Sequence, residues 1–282
     1  MYNKKFIFLI SASFLFLVNC SYTSFQTAIS ENQTIKDWFL STKYGVVEAS
    51  ITWPSDNDSY PSLLIIQSSD ENNQKNTKEL LSLIGYPIIA MSISLPGIGN
   101  STGPHDFGGK KSVESIKKAI HYLSEINNNG NKSIFIYANG FGANAAIIAT
   151  RKVSDVKLLI LENGLFEPRK VIKKSPQNLK IRLKDFLSDK NYKANFRSSL
   201  YEIEKNEIPI IIIRNIRGKD YELEQHNEII KFLKLKNKKY KILDISEKNK
   251  SLFFQKLIIK KRIVPIIEKY FKKINSGKIL NG

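Results

Sequence analysis

Residues 134–143 carry the pattern in this chain that can most directly do chemistry. The segment has a short apolar strand, a sharp turn and the start of a helix, with the small residues Ala138 and Gly142 on either side of Gly140. Such a turn can hold a nucleophile at the carboxyl end of a sheet, with its side chain exposed. The chemistry would be attack on a carbonyl carbon through a covalent intermediate.

The central position of this turn, however, is Gly140, which has no side chain and cannot act as a nucleophile. Glycine also relaxes the positive-φ strain that other residues endure at such a turn. With glycine at its centre, this turn therefore has the shape of a nucleophile site and no nucleophile. The alternative is an ordinary glycine-rich turn between a strand and a helix.

Short segments rich in β-branched residues alternate with amphipathic helical patterns around this turn. Several of these segments are apolar at both odd and even positions, which is typical of parallel strands covered on both faces. The alternation predicts an α/β fold with a doubly wound, mostly parallel sheet. The candidate strands are Val46–Trp53, Ser62–Gln67, Pro87–Ser94, Ser133–Ala138, Val156–Leu161, Ile208–Arg214 and Tyr240–Ile245.

Two more segments resemble motifs of a known family and follow the order in which that family has them. Leu95–Pro104 follows a strand and looks like the PGxGxStG loop of α/β-hydrolases, and Ile208–Asp220 is similar to their apolar strand that leads into an acid-bearing loop. With the turn at Gly140, these segments resemble the α/β-hydrolase superfamily over roughly residues 44–273. The resemblance implies that Gly140 holds the nucleophile position and that Asp220 is the surviving acid, although Asp220 also suits a helix N-cap.

The histidine base that the resemblance implies is missing from its place after the last strand, Tyr240–Ile245. The three histidines, His105, His121 and His226, all precede that strand. We expect structural or solvated roles for His121 and His226, with His226 exposed, whereas the loop that carries His105 can overhang the site. Removing a nucleophile or a base from such a triad costs on the order of 10⁶ in turnover. The sequence therefore favours an inactive domain with a binding or interaction role, and it predicts no cofactor.

A second hypothesis keeps catalysis and relocates it within an active esterase-type or peptidase-type hydrolase. Ser101 or Ser68 would act with His105 and an acid. This arrangement needs a serine oxygen and a histidine nitrogen within about 3–3.5 Å of each other. The single cysteine and the three histidines do not favour a metal site of thiolate or imidazole ligands.

The beginning of the chain has the pattern of an export signal. Lys4 and Lys5 precede the apolar run Phe6–Val18, which is shorter than the roughly 20 residues that a membrane-spanning helix needs. The run ends in Leu-Val-Asn-Cys at Cys20, which resembles a bacterial lipobox. The resemblance implies that Cys20 carries lipid and that the mature protein is anchored in a membrane of the cell envelope. The alternative is an incidental cysteine in an ordinary signal peptide.

The positive charge of the chain is concentrated in its second part. Residues 1–164 contain 14 Lys and Arg against 13 Asp and Glu, whereas residues 165–282 contain 30 against 13. This basic half predicts a surface for anionic lipid or an acidic partner, or else an ordinary solvated lysine-rich face. The export pattern and the lack of a binding motif argue against nucleic acid. The basic residues are Lys170, Lys173, Lys174, Lys180, Arg182, Lys184, Lys234, Lys236, Lys238, Lys239 and Lys241.

Together these patterns predict a simple domain organisation. Residues 1–19 form a lipoprotein signal peptide, and residues 20–43 hold the lipidated Cys20 and a tether. Residues 44–282 form one α/β-hydrolase-like domain, which is long enough for a sizeable core. A small helical insertion at about 165–205 interrupts the alternation of strands and helices.

Overall fold

The described strands of the chain form one sheet. A computed structural model describes residues 33–54, 60–67, 81, 88–126, 132–188, 198–246 and 258–276. The eight described strands lie in the order β1-β2-β4-β3-β5-β6-β7-β8. Pairs among β3 to β8 are parallel, whereas β2 is antiparallel to both β1 and β4. The strands are β1 (Gln33–Thr42), β2 (Gly45–Pro54), β3 (Ser62–Gln67), β4 (Ile89–Ser94), β5 (Ile134–Asn139), β6 (Val156–Glu162), β7 (Ile210–Asn215) and β8 (Tyr240–Ile245).

Helices cover both faces of this sheet. The first face packs against α1, α2 and α6, and the second packs against a π-helical segment, Ile259–Ile263, that leads into α7. The helices α3, α4 and α5, with a 3₁₀ turn at Ile203–Lys205, lie between β6 and β7 in the chain. The helices are α1 (Lys110–Ile126), α2 (Gly140–Ala149), α3 (Pro168–Lys174), α4 (Gln177–Ser188), α5 (Ser199–Glu202), α6 (Asp220–Leu235) and α7 (Val264–Asn275).

Strand β7 shows why these segments form a sheet that is buried on both faces. Ile210 and Ile212 point into the core of the first face, and Ile211 and Ile213 point into the core of the second. Successive side chains of a strand point to opposite faces of the sheet. An unbroken apolar run can therefore be buried in the cores on both faces. The predicted doubly wound, mostly parallel sheet with a small helical insertion is confirmed.

The structure corrects the predicted tether, because β1 lies inside residues 20–43. Residues 33–42 pair along their whole length with β2 in an antiparallel hairpin. Leu40 is buried in the core, whereas Trp38 and Phe39 remain exposed. Leu40 is the one buried side chain among residues 36–42, so this part of the edge strand has only a weak hydrophobic alternation and resembles a polar linker. The predicted signal peptide and Cys20 lie outside the described residues.

Candidate functional site

The turn between β5 and α2 has the geometry of a nucleophile elbow. Gly140 sits at this turn with a φ of 51°, in the left-handed region, and is half-buried. Gly142 lets the helix approach β3, since a Cβ at that position would lie 2.9 Å from Ile66 Cγ2. The backbone N–H of Leu165 donates to the Gly140 carbonyl at 3.0 Å and ties the start of the insertion to the turn. The elbow thus presents a backbone without a side chain at the carboxyl end of the sheet.

The residue at the predicted acid position lies in the first turn of α6 and is open to solvent. Asp220 is exposed and is the first residue of that helix, and Lys219 occupies the N-cap position. The prediction that Asp220 could be the N-cap is therefore wrong by one residue. A carboxylate in the first helical turn is favourable because it faces the positive end of the helix dipole. This location explains Asp220 without a catalytic role.

The three histidines lie in three different environments. His226 is buried in α6, so the prediction that it is exposed is wrong. His121 is exposed on α1 and lies 3.1 Å from the Glu125 carboxylate, as a solvated residue would. His105 is half-buried, and its Nδ1 accepts a hydrogen bond from the backbone N–H of Phe107 at 3.1 Å. None of the three follows β8 in the chain.

Ser101, the first candidate for relocated catalysis, has a structural hydrogen-bonding pattern. Its buried hydroxyl donates to the Ser94 carbonyl at 2.7 Å and accepts from the Glu48 backbone N–H at 2.9 Å. A nucleophilic serine instead gives its proton to a base. The bonds of Ser101 therefore fasten the loop after β4 to β2. Ser68, the other candidate, lies outside the described residues.

Glu48 on β2 is buried, and its carboxylate accepts hydrogen bonds from the same loop after β4. Its Oε1 accepts from Asn100 Nδ2 at 2.7 Å. Its Oε2 accepts from the Asn100 backbone N–H at 3.0 Å and from Ser94 Oγ at 3.2 Å. The tight fit extends to Gly99, where a Cβ would lie 2.3 Å from Oε2. The glycine and serine pattern of this loop therefore serves to close it around a carboxylate.

Replacing Glu48 with glutamine is expected to lower the free energy of unfolding by about 1–3 kcal/mol. The amide puts an NH₂ group in place of an acceptor oxygen, so at least one of the loop donors loses its partner. Urea unfolding followed by circular dichroism measures the change. Glu125→Gln, on the exposed surface of α1, is the matched control and should change stability by less than about 0.5 kcal/mol. Equal effects of the two substitutions would contradict this role of Glu48.

The elbow is surrounded by an apolar cluster that the loop before α1, the elbow helix and the insertion build together. The Phe107 ring lies 5.2 Å from that of Phe141, and the His105 ring lies 4.2 Å from that of Phe107. Gly108 has a φ of 78°, and a Cβ there would lie 2.5 Å from the Phe141 carbonyl oxygen, so the loop is closely packed on α2. Side chains of this cluster are Phe107, Phe141, Leu165, Val171, Leu183 and Tyr221.

A buried polar pair that the sequence did not predict lies at the same end of the sheet. Tyr137 on β5 donates a short hydrogen bond to Glu162 at the end of β6, and both side chains are buried. Burial first, and the Glu162 charge second, raise the pKa of Tyr137 well above its ordinary value. The phenol therefore stays protonated as a donor to the carboxylate. In the sequence, the one sign of this pair is Glu162 at the end of an otherwise apolar strand. Its partner cannot be predicted, because that depends on the register between β5 and β6.

Several of the lysines predicted to form a basic patch are neutralised by nearby carboxylates. Lys173, Lys184, Lys234 and Lys241 are exposed. The hydrogen bond with Glu228 raises the pKa of Lys170. The ion pairs join Lys170 to Glu228 at 2.9 Å, Lys174 to Glu224 at 3.1 Å, Lys236 to Glu204 at 3.0 Å and Lys238 to Glu207 at 2.7 Å.

No cluster of three or more His, Cys, Asp or Glu side chains among the described residues is arranged to hold a metal ion. No helix among those residues is long and apolar enough to cross a membrane.

No protein-family model matches the sequence, and no curated protein matches it. Solved structures, in contrast, share its fold. An esterase of Pyrococcus furiosus is similar with a TM-score of 0.60 and 17% identity, over 86% of this chain and 94% of that chain. An esterase of Pyrobaculum calidifontis gives 0.61 and 14%, over 86% and 87%. The acylaminoacyl peptidase of Pyrococcus horikoshii gives 0.64 and 13%, over 84% of this chain and 42% of that chain.

These neighbours and the strand order define the class of the domain. The chain has the α/β-hydrolase fold, with an eight-stranded, mostly parallel sheet and helices on both faces. At such low identities the likeness concerns the fold alone, since one fold can carry many functions.

Proposed function

We propose that this protein is a lipid-anchored lipoprotein of the bacterial cell envelope whose α/β-hydrolase domain serves binding rather than hydrolysis. The observation that carries the proposal is Gly140 at the elbow, with a φ of 51° and no side chain to attack a substrate. The exposed position of Asp220 supports it, as does a sequence without a histidine after β8. Losing both nucleophile and base removes the covalent mechanism that this fold can support.

The alternative, an active hydrolase, would need its nucleophile elsewhere. The neighbours named esterase and acylaminoacyl peptidase make this the natural competing hypothesis. Ser101 does not favour it, because its hydroxyl proton is donated to the Ser94 carbonyl inside the fold. Freeing that hydroxyl would also release the bond from the Glu48 backbone N–H. A relocated mechanism at Ser101 would thus dismantle the loop that positions it.

The membrane part of the proposal rests on Cys20 and the apolar run before it. Bacterial lipoproteins carry several acyl chains on such a cysteine, and several chains anchor a protein stably where one chain binds only marginally. With Cys20 as the first residue of the mature chain, twelve residues separate it from Gln33 at the start of β1. The lipid would therefore be joined to the domain by a short connection to the edge of the sheet.

Treatment of the chain with a fluorophosphonate probe tests the non-catalytic proposal. We expect no stoichiometric labelling and no hydrolysis of short-chain nitrophenyl esters above the buffer rate. The physical reason is that the elbow position is Gly140, which offers no hydroxyl for the probe to modify. Intact mass spectrometry and absorbance give the two readouts.

Ser101→Ala is the variant that separates the two hypotheses. If the wild type were labelled and Ser101→Ala were not, the relocated mechanism would be correct and the non-catalytic proposal wrong. Labelling of both proteins would place an active serine elsewhere in the chain, and it would equally contradict the proposal. A lack of labelling in both is the expected result.

A further inference from the structure

The exposed side of the C-terminal helix carries a set of cations. Arg262, Lys269, Lys272 and Lys273 lie seven, three and one positions apart, a spacing that places them within a sector of about 100° around a helix. We call these four residues the basic stripe. Glu268 is the sole acidic residue between positions 258 and 276. The exposed cations of this segment are Lys260, Lys261, Arg262, Lys269, Lys272 and Lys273.

The other side of this helical segment is fixed to the sheet. Ile259, Ile263 and Ile267 are buried in the core of the second face, together with β7 residues such as Ile211 and Ile213. The apolar side is therefore already used in folding. The basic stripe lies opposite to it and is presented to solvent by a helix that cannot rotate without breaking the core.

The basic stripe differs from four of the other lysines of the basic half in how its charge is compensated. Within the described part of the chain, no carboxylate lies within 4.0 Å of any of its four cations. Lys170, Lys174, Lys236 and Lys238 each have a glutamate partner at 2.7–3.1 Å. The four cations of the basic stripe therefore present their full charge to solvent, whereas each of those four lysines shares its charge with a glutamate.

We propose that the basic stripe binds the anionic headgroups of a lipid membrane. Three of its four cations are lysines, which act as mobile point charges and suit a fluid array of headgroups. A nucleic-acid surface would instead be expected to combine arginine with exposed aromatic side chains for base stacking, and the partly buried Tyr270 and Phe271 pack toward the core. The stripe would hold one face of the domain against the membrane as a peripheral contact.

This surface is compatible with the proposed anchor and does not depend on it. The thirteen steps from Cys20 to Gln33 can span up to about 45 Å when extended. The eight strands, spaced by about 4.8 Å, place the edge strands β1 and β8 roughly 34 Å apart. A lipid attached before β1 thus leaves the second face free to meet the same membrane. Because the stripe acts without lipid, its failure and the failure of the lipoprotein proposal are distinguishable.

Co-sedimentation with vesicles tests the stripe. The chain from residue 20 onward, with Cys20→Ser, retains every described residue and lacks the lipid. We expect it to bind vesicles containing phosphatidylglycerol, to ignore pure phosphatidylcholine, and to dissociate as salt rises from about 50 to about 500 mM. Each basic residue at an anionic surface strengthens binding about fivefold at low salt. The substitutions Arg262→Gln, Lys269→Gln, Lys272→Gln and Lys273→Gln together should weaken binding by roughly 100-fold or more.

A matched control removes the same number of positive charges from the paired lysines. The quadruple variant Lys170→Gln, Lys174→Gln, Lys236→Gln and Lys238→Gln should bind within about threefold of the parent chain, because glutamates already compensate those charges. Thermal unfolding of both variants checks that each remains folded. Equal losses would mean that net charge alone drives binding and would overturn the stripe. Binding to polyglutamate without binding to anionic vesicles would identify an acidic polymer as the partner and would also overturn it.

Discussion

Replacing Gly140 with serine is expected to place a hydroxyl at the elbow without producing a hydrolase. The new side chain would stand where the fold presents a nucleophile, at the turn between β5 and α2. No histidine in this sequence follows β8, where the resemblance places the base, so we expect that its proton is not taken up by a catalytic histidine. Removing the base from a complete triad costs on the order of 10⁶ in turnover, so the hydroxyl alone stays below detection. Ester hydrolysis and fluorophosphonate labelling should both match the wild type.

Gly140→Ala is the matched control, because it introduces the same Cβ at a φ of 51° and no hydroxyl. Both variants should lose about 1–3 kcal/mol of unfolding free energy, since a side chain at positive φ is strained. Their stability should agree more closely with each other than either does with the wild type. Turnover by Gly140→Ser well above that of Gly140→Ala would reveal a base that acts at the elbow, and the non-catalytic proposal would then fail.

The sheet could be predicted from the sequence because parallel strands buried on both faces have a distinctive composition. Ile210–Ile213 is apolar at every position, and such a run has few other places in a soluble domain. Ser62–Gln67 and Tyr240–Ile245 have the same bounds in the structure as in the sequence interpretation. The elbow helix begins at Gly140, a bound that the sequence pattern does not give. Helix bounds depend on backbone geometry that glycine leaves open.

The side-chain partners of the site could not be predicted, because they depend on how distant segments meet. Glu48 and Asn100 are 52 residues apart and come together only when β2 pairs with β4. Tyr137 reaches Glu162 only through the register of β5 on β6. His226 has polar neighbours in the sequence, including Gln225 and Asn227, and therefore looked exposed. His226 is buried because α6 packs on the sheet, and the residues next to it in the sequence do not indicate that contact.

The glycines of the loop after β4 and of the elbow have the same backbone conformation in different structural settings. In the loop after β4, the glycines at 97 and 99 have positive φ and admit the close approach of His105 and Glu48, as a tight loop requires. The glycine at 140 has the same conformation, yet it stands at the position where a catalytic elbow carries its nucleophile. A positive φ is therefore common to the glycines of the loop and of the elbow, and it does not by itself show whether the turn carries chemistry.

Cys20→Ala is expected to abolish lipid attachment and to leave the export signal in place. The sulfur of Cys20 is the atom that would carry the lipid, and alanine has no nucleophilic atom in its place. Metabolic labelling with an alkyne fatty acid should therefore fall from strong to background. The protein should also run larger on a gel by the residues that precede position 20, unless another peptidase cuts it. Fluorescence of the clicked label and immunoblotting measure the two effects.

Ser24→Ala, four residues further along, is the control for this experiment, because it alters the polar stretch after the cysteine and keeps the thiol. It should be labelled and processed like the wild type, and it should partition into Triton X-114 to the same extent. The detergent phase should hold nearly all of the wild-type protein, since several acyl chains bind a membrane far more strongly than the basic surface alone can. Undiminished fatty-acid labelling of Cys20→Ala would place the lipid on another residue and would end the lipobox interpretation of this cysteine.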